Sequence, residues 1–294
     1  MSFAAIVRCG MAHFTTLIDA RALSSQTGRD DFVIFDCRFD LANVHWGEAQ
    51  FAESHLPGAR YLHLDRDLSG PITAQSGRHP LPDPAAFARR LGELGVDPDC
   101  QLVAYDQGNG GHAARLWWLA RWIGLTRVAV LDGGFAAWRA AGLPLETAVT
   151  ARAPRTLAPR ERADAWLTSA QVDSLRARPG NLLIDARGAE RFAGRNETID
   201  PVAGHVPGAR NRPFLDNLGA DGRFLAADEL RRRWKMLLGE LPPTGVIAMC
   251  GSGVTACQNL LALEHAGLAG ARLYAGSWSE WIRDPARPVA IGSY

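Results

Sequence analysis

Short apolar runs punctuate the chain at regular stations. Phe32–Phe35, Leu102–Tyr105, Leu182–Ile184 and Val246–Met249 are almost wholly apolar. Their length and their flanking turn residues predict strands buried on both faces, as in a parallel sheet. Ala113–Ile123 and Val254–His265 carry apolar residues at three- and four-residue steps, the spacing of a helix face. Each follows a predicted strand after a short turn. Alternating strands and helices predict an α/β fold, a parallel sheet flanked by helices. Ligands in such sheets bind beyond the carboxyl ends of the strands. Asp106 and Cys250 both stand at that place.

The pattern occurs twice. Phe32–Arg38 matches Leu182–Arg187, and His55-Leu56-Pro57-Gly58-Ala59-Arg60 matches His205-Val206-Pro207-Gly208-Ala209-Arg210. Leu102–Asp106 matches Val246–Cys250, and Asp132–Trp138 matches Ala275–Trp281. The offsets are 149, 150, 144 and 143 residues, in one order. A tandem duplication explains this; solenoid repeats are far shorter. The stretch Thr147 to Ala163 has prolines, arginines and no apolar period, so it reads as an extended connection. The expected division is a first domain over 1–148, a linker over 149–163 and a second domain over 164–294.

Composition narrows the chemistry. Of 294 residues, 47% are hydrophobic and 21% charged, and the formal net charge is +1. That balance excludes wholesale disorder and leaves no electrostatic footprint for nucleic acid. Residues 1–150 hold 13 basic and 16 acidic side chains, and residues 151–294 hold 19 and 15. The second half is therefore the better host for an anion. Lys235 is the only lysine, so Schiff-base and phosphate-loop lysines are excluded elsewhere. No apolar run approaches the ~18 residues of a membrane span. Met1 to Met11 is too weakly apolar for a signal peptide. A cytoplasmic location without membrane contact is expected. The histidines at 45, 63, 79 and 112 fall in separate loops without metal-ligand spacing, so no metal or other cofactor is expected.

Five cysteines, at 9, 37, 100, 250 and 257, include no CxxC pair. Cysteine chemistry here belongs to a single thiol. Cys250 is followed by Gly251-Ser252-Gly253-Val254-Thr255-Ala256. Two glycines let the amides converge at the start of the predicted helix, a setting that favours a thiolate or a bound anion. As a loop sulfur, Cys250 is expected near the surface, with little part in the core. Cys257 lies two turns further along the same helix and reads as packing. Cys9, Cys37 and Cys100 have no motif around them and read as structural. In the first half Asp106 takes the cysteine position, so that half is chemically silent.

The Cys250–Ala256 loop resembles the active loop of the two-domain rhodanese-like sulfurtransferases. The paired His-x-Pro-Gly-Ala segments and Gly276–Trp281 are similar to that family too. The resemblance spans about residues 15 to 290. It implies two tandem rhodanese-like α/β domains, of which only the second is catalytic, and transfer of a sulfane sulfur through a Cys250 persulfide. Thiosulfate-using members resemble Cys-Arg-Lys-Gly-Val-Thr. Members using 3-mercaptopyruvate resemble Cys-Gly-Ser-Gly-Val-Thr, which stands here. A loop without cations suits the less charged donor, and the Ser252 hydroxyl suits carbonyl polarisation or proton movement. Thiosulfate remains the alternative donor. The acceptor is expected to be cyanide, a thiol or a thioredoxin-like protein.

The resemblance also assigns supporting residues. Gly251, Gly253, Val254 and Thr255 form the loop that cradles the donor sulfur. Arg191 is expected to hold the donor carboxylate, and its first-half counterpart is Ala42. Relatives of the mercaptopyruvate type resemble a Glu-Pro-Arg with a second donor-binding arginine. This chain has Arg195-Asn196-Glu197 instead, and Arg195 is the expected substitute. The family's domain interface brings a first-domain histidine, here His55, toward Ser252. Arg38, Arg187, His205 and Trp281 recur in both halves or belong to recurring segments and read as structural. Two other classes stay open. A cysteine phosphatase needs an arginine six residues after the cysteine, where Ala256 stands. A non-catalytic interaction module would not need Cys250.

Overall fold

The computed structural model describes residues 13–292, so Cys9 and the Met1–Met11 segment lie outside the described residues. The first sheet is built from β1 (Leu17–Ile18), β2 (Phe32–Asp36), β3 (Arg60–Tyr61), β4 (Gln101–Tyr105) and β5 (Val128–Leu131). The second is built from β6 (Trp166–Leu167), β7 (Leu182–Asp185), β8 (Arg210–Asn211), β9 (Val246–Met249) and β10 (Arg272–Tyr274). The strand orders are β1-β5-β4-β2-β3 and β6-β10-β9-β7-β8, the same topology twice. Every pairing between these strands is parallel.

The helices are α1 (Ala20–Ser24), α2 (Trp46–Glu53), α3 (Pro84–Glu93), α4 (Gly111–Trp122) and α5 (Gly134–Ala140) in the first copy. They are α6 (Ser169–Leu175), α7 (Ala189–Phe192), α8 (Ala227–Leu238), α9 (Ala256–His265) and α10 (Ser277–Trp281) in the second. The central strands alternate between two cores, because successive strand residues point to opposite faces. Val33 and Phe35 of β2 join Val246 and Ala248 of β9 in one core shared by both copies. Ile34 turns outward to a first-copy cluster, and Ile247 and Met249 to a second-copy cluster. The helices that leave the two loops, α4 and α9, pack on each other within the shared core. The copies are thus fused through apolar contact.

The connection between the copies is extended, and it lies along the first sheet. Arg152 donates to the carbonyls of Phe32, Arg29 and Asp30. The amides of Arg160 and Arg162 bond Ile123 and Trp122. No described helix is long and apolar enough to cross a membrane.

Candidate active site

Cys250 follows β9 directly, and α9 begins at Ala256. The helix starts two residues later than the apolar period suggests, because Val254 still belongs to the turn and Thr255 is the cap. Cys250 is only 2% exposed, so the expectation of a surface sulfur is corrected. The loop closes inward: Gly253 N–H donates to Cys250 Sγ at 3.2 Å. Gly253 has φ +78°, and a methyl added there would stand 2.2 Å from the Ala275 carbonyl. Only glycine fits that turn. Val254 is buried beneath the loop. Thr255 turns its methyl toward Gly111 of the first copy. Cys257 lies in the shared core, its thiol pushed up to about 12 by burial. Cys37 is buried among apolar neighbours, and Cys100 is buried beside Gly95.

The first copy shows what such a loop holds. Asp106 Oδ1 accepts from the amides of Gly108 and Gly110 at 2.9 and 3.0 Å. Its Oδ2 accepts from those of His112 and Ala113 at 3.0 and 3.2 Å. A carboxylate therefore fills a ring of converging N–H donors at the start of α4, the arrangement that stabilises anions.

A further serine steadies the catalytic loop. The Cys250 amide donates to Ser277 Oγ at 3.0 Å, and that hydroxyl donates to the Tyr274 carbonyl at 2.9 Å. Ser277 has φ +53°, alone among the described non-glycine residues in being positive. Its first-copy counterpart is Gly134, with φ +54°. A side chain in this conformation costs about 1–2 kcal/mol, and the hydroxyl contact offsets about 1 kcal/mol of it. Ser277→Gly is expected to leave the melting temperature nearly unchanged and to lower kcat by roughly fivefold, through a looser loop. Paired melting and turnover measurements check this. Normal turnover with a lower melting temperature would make Ser277 a fold residue only.

Ser252 is met from the other copy. His79 Nδ1 lies 2.7 Å from Ser252 Oγ, and His79 Nε2 lies 3.2 Å from Asp65 Oδ1. The Asp65 carboxylate only accepts, so Nε2 carries the ring proton and the Ser252 hydroxyl donates to Nδ1. Burial holds His79 below the ordinary histidine range, against the upward pull of Asp65. The bond to His79 keeps Asp65 low. The arrangement is a neutral imidazole poised to take a proton through a serine.

His55 has a different place, which corrects its expected role. It is fully buried, stacked on Phe51 with ring centroids 4.0 Å apart, and its Nδ1 lies 2.7 Å from the Phe51 carbonyl. His205 repeats this arrangement on Phe192. Both histidines tie their His-x-Pro-Gly turns to the end of their own copy, through bridges to Glu146 and Ala290. Arg38 and Arg187 form buried ion pairs with Asp36 and Asp185, at 2.6 and 2.7 Å. Trp281 sits in the outer core of the second copy.

Two guanidiniums overhang Gly251. A methyl added there would stand 3.3 Å from Arg78 Nη2 and 3.6 and 3.7 Å from Arg191 Nη2 and Nη1. The loop carries no cation of its own, but it is not free of cations, a correction to the sequence reading. Arg191 is held by Glu197 through Nε at 3.1 Å and by Asp200 through Nη2 at 3.0 Å. Burial opposes ionisation of Glu197, yet Arg191 and the amides of Asp200 and Ile199 keep its carboxyl low. Arg195 is not part of this group. Its guanidinium fork is engaged by Glu190 at 2.8 and 2.6 Å, on the exposed surface. Among the described residues, no group of three His, Cys, Asp or Glu is set to hold a metal ion.

Sequence reasoning passed over Asp65, Arg78, His79 and Ser277. A signal for the histidine existed. Gly77-Arg78-His79 is matched 145 residues on by Gly222-Arg223-Phe224. Phe224 covers the silent loop, lying 3.1 Å from where a methyl on Gly110 would be. Each copy covers the other's loop, and the covering residue is polar only over Cys250. Asp65 likewise has Leu215 as its partner at the offset of 150.

The fold, the duplicated strand–loop–helix and its buried thiol define a class. The Rhodanese-like domain family matches residues 19–141 and 168–284. The chain belongs to the rhodanese family, with two copies of its domain. It is 48% identical over 278 residues to a probable 3-mercaptopyruvate sulfurtransferase of Pseudomonas aeruginosa, covering 94% of this chain and 98% of that one. It is 37% identical over 282 residues to a putative thiosulfate sulfurtransferase of Mycobacterium tuberculosis, covering 94% and 97%. The structure of a 3-mercaptopyruvate sulfurtransferase from Leishmania major superposes with a TM-score of 0.79 at 31% identity, covering 91% of this chain and 74% of that one.

Proposed function

We propose that the protein is a sulfurtransferase that takes sulfur from 3-mercaptopyruvate onto Cys250 and passes it to a thiophilic acceptor. The observation that carries the donor assignment is the Asp65–His79–Ser252 relay beside the thiol. The Cys250 thiolate attacks the donor sulfur. As the S–S bond forms, Ser252 takes the thiol proton and passes its own to His79. The C–S bond breaks, its electron pair goes to carbon, and the relay returns the proton there, releasing pyruvate. Thiolate and mercaptopyruvate become persulfide anion and pyruvate, so atoms and charge balance. Thiosulfate carries no thiol proton and leaves no carbanion, so it would leave this relay idle.

Asp106 supports the persulfide. Its Cβ–Cγ–Oδ chain has the reach of Cβ–Sγ–Sδ in a cysteine persulfide. The carboxylate and its four amide partners thus resemble the charged intermediate in the equivalent loop. In the second step cyanide, a thiol or a thioredoxin-like protein attacks the outer sulfur, and the Cys250 thiolate leaves. Cys37, Cys100, Cys250 and Cys257 are free thiols, which fits a reducing cytoplasm.

Arg191 holds the donor carboxylate in this scheme. Arg191→Ala is expected to lower kcat/KM for the donor by roughly ten- to a hundredfold, from a lost charge-assisted contact of about 1.5–3 kcal/mol. Discharge to cyanide is expected to change far less. Stopped-flow measurement of the two half-reactions checks this, and an unchanged donor kcat/KM would remove Arg191 from the site. The function itself is tested by incubating the protein with mercaptopyruvate alone. Intact mass should rise by one sulfur atom, and cyanide should remove it. No mass gain would reject the reading.

A further inference from the structure

Arg115 stands on α4, in the first copy, and its side chain is fully buried. Backbone carbonyls surround its fork. Nε and Nη2 each donate to Leu68 at 3.3 Å, and Nη2 also donates to His79 and Pro80 at 3.1 and 3.2 Å. Nη1 crosses to the second copy and donates to the Gly253 carbonyl at 3.1 Å. The Cys257 thiol donates to that same carbonyl at 3.3 Å. Carbonyls solvate a guanidinium but bring no opposite charge. Among the described residues no carboxylate pairs with Arg115, whereas Arg78 is paired with Asp200, and Arg191 with Glu197 and Asp200. A buried charge without a partner is costly, and arginine does not shed its proton. Burial pulls Arg115 below the ordinary arginine range, and the thiols of Cys257 and Cys250 pull the other way.

The first copy shows what the gripped carbonyl does. At the offset of 144, Gly253 corresponds to Asn109 and Val254 to Gly110. The Gly110 amide, in one peptide with the Asn109 carbonyl, donates to Asp106 Oδ1 at 3.0 Å. The carbonyl and amide of a trans peptide point opposite ways, so holding the carbonyl aims the amide at the anion. In the first copy the hold comes from α9: Gln258 Nε2 donates to the Asn109 carbonyl at 3.1 Å. In the second it comes from α4, through Arg115. Each helix grips the other copy's loop at the same point, but the donors differ in charge. Gln258 serves the loop of a carboxylate and is neutral. Arg115 serves the loop of a thiol, which must ionise to react, and is a cation. Asn259, the counterpart of Arg115, is engaged within its own copy by Asn217 and the Arg212 carbonyl.

We propose that Arg115 is a positioning residue for the sulfur anion: it holds the Gly253–Val254 peptide with its amide toward Cys250, and its otherwise unbalanced charge is the counter-ion of the thiolate and then of the persulfide. Its bond to the His79 carbonyl ties the relay to the same point. Other groups also surround Cys250. Arg78 and Arg191 overhang Gly251, with Asp200 and Glu197 behind them. His79 and Asp65 lie beyond Ser252, and Cys257 follows on α9. None of them is altered in the Arg115 variants below.

The inference rests on Cys250 as the reacting sulfur and not on the donor, so neutral iodoacetamide replaces the donor in its test. Alkylation of Cys250 is followed against pH, by peptide mass, in wild-type, Arg115→Gln and Arg115→Lys proteins. In Arg115→Gln the rate near neutrality should fall by at least about tenfold, and the alkaline plateau by less than about threefold. Arg115→Lys should stay within about threefold of wild type at both. An equal fall at both ends, which a rivet that only shapes the loop produces, overturns the proposal, and so does an unchanged neutral rate. A second measurement needs no variant of Arg115 and decides alone if Arg115→Gln does not fold. The Arg115 guanidinium signals in isotope-edited magnetic resonance should differ between Cys250→Ser protein and wild-type protein loaded with inorganic polysulfide, because one carries a neutral hydroxyl and the other an anion. Identical signals overturn the proposal. If wild-type protein takes no sulfur from mercaptopyruvate while both measurements give the expected results, the donor reading falls and the role of Arg115 stands.

Discussion

Cys250→Ser is expected to abolish sulfur transfer, leaving less than about a thousandth of the wild-type turnover. A hydroxyl at this position forms no persulfide under ordinary conditions, and among the described residues no second thiol is placed to substitute. Cys257 is the nearest cysteine in sequence, but it is buried in the shared core and its thiol is raised to about 12. The fold should survive. Cys250 is buried, but oxygen replaces sulfur with little change of volume and can still accept the Gly253 amide. The melting temperature should therefore move by no more than a few degrees, about 1 kcal/mol at most. Turnover and melting on one preparation check both halves. Retention of even about a tenth of the activity would mean that Cys250 is not the nucleophile.

The second large effect separates the two donors. His79→Asn removes the base that takes the Ser252 proton. General acid–base help of this kind contributes about 10²–10⁴-fold. Turnover with mercaptopyruvate should fall by at least about a hundredfold, and turnover with thiosulfate by only a few fold. Equal losses with both donors would assign His79 to loop support and remove the relay from the mechanism. The pH profile gives the sign independently. Neutral His79 accepts from Ser252, and the imidazolium does not. Burial depresses its pKa, so the imidazole's share of the rate with mercaptopyruvate should be lost only as pH falls below the ordinary histidine range. The same depression means that the unfolded chain takes up the proton first. Stability should therefore also drop as pH falls through that window. In His79→Asn the part of the acid limb that belongs to the imidazole should disappear, leaving the part set by the Cys250 thiolate.

Loop charge reads differently once the tertiary structure is known. The sequence shows no cation between Cys250 and Ala256, a pattern that by itself suits the less charged donor. Arg78 and Arg191 already stand over Gly251. An arginine at 251 would meet two like charges at contact distance, so donor choice cannot be inverted cleanly at that residue. The relay is the better lever.

Local and repeated features were legible in the chain. The buried apolar runs became β2, β4, β7 and β9, and the three-and-four-residue periods became α4 and α9. A strand, a glycine turn and a helix are contiguous, so their spacing alone places Cys250 at the carboxyl end of β9. Repetition in both halves marked Arg38 and Arg187 as structural. What escaped depends on contacts between residues far apart in the chain. His79 lies 173 residues from Ser252, and Arg78 lies 122 residues from Asp200. No local period or spacing encodes such pairings. They exist because α4 packs on α9 in a shared core and turns each copy's covering segment onto the other's loop. His55 and His79 are both histidines of the first copy, and only that packing decides which of them faces Ser252. The sequence by itself determined the duplicated fold and the places of Cys250 and Asp106 at the ends of equivalent strands. The tertiary structure decided that His79 meets Ser252 and that Arg78 stands over Gly251, because both depend on how the two copies dock.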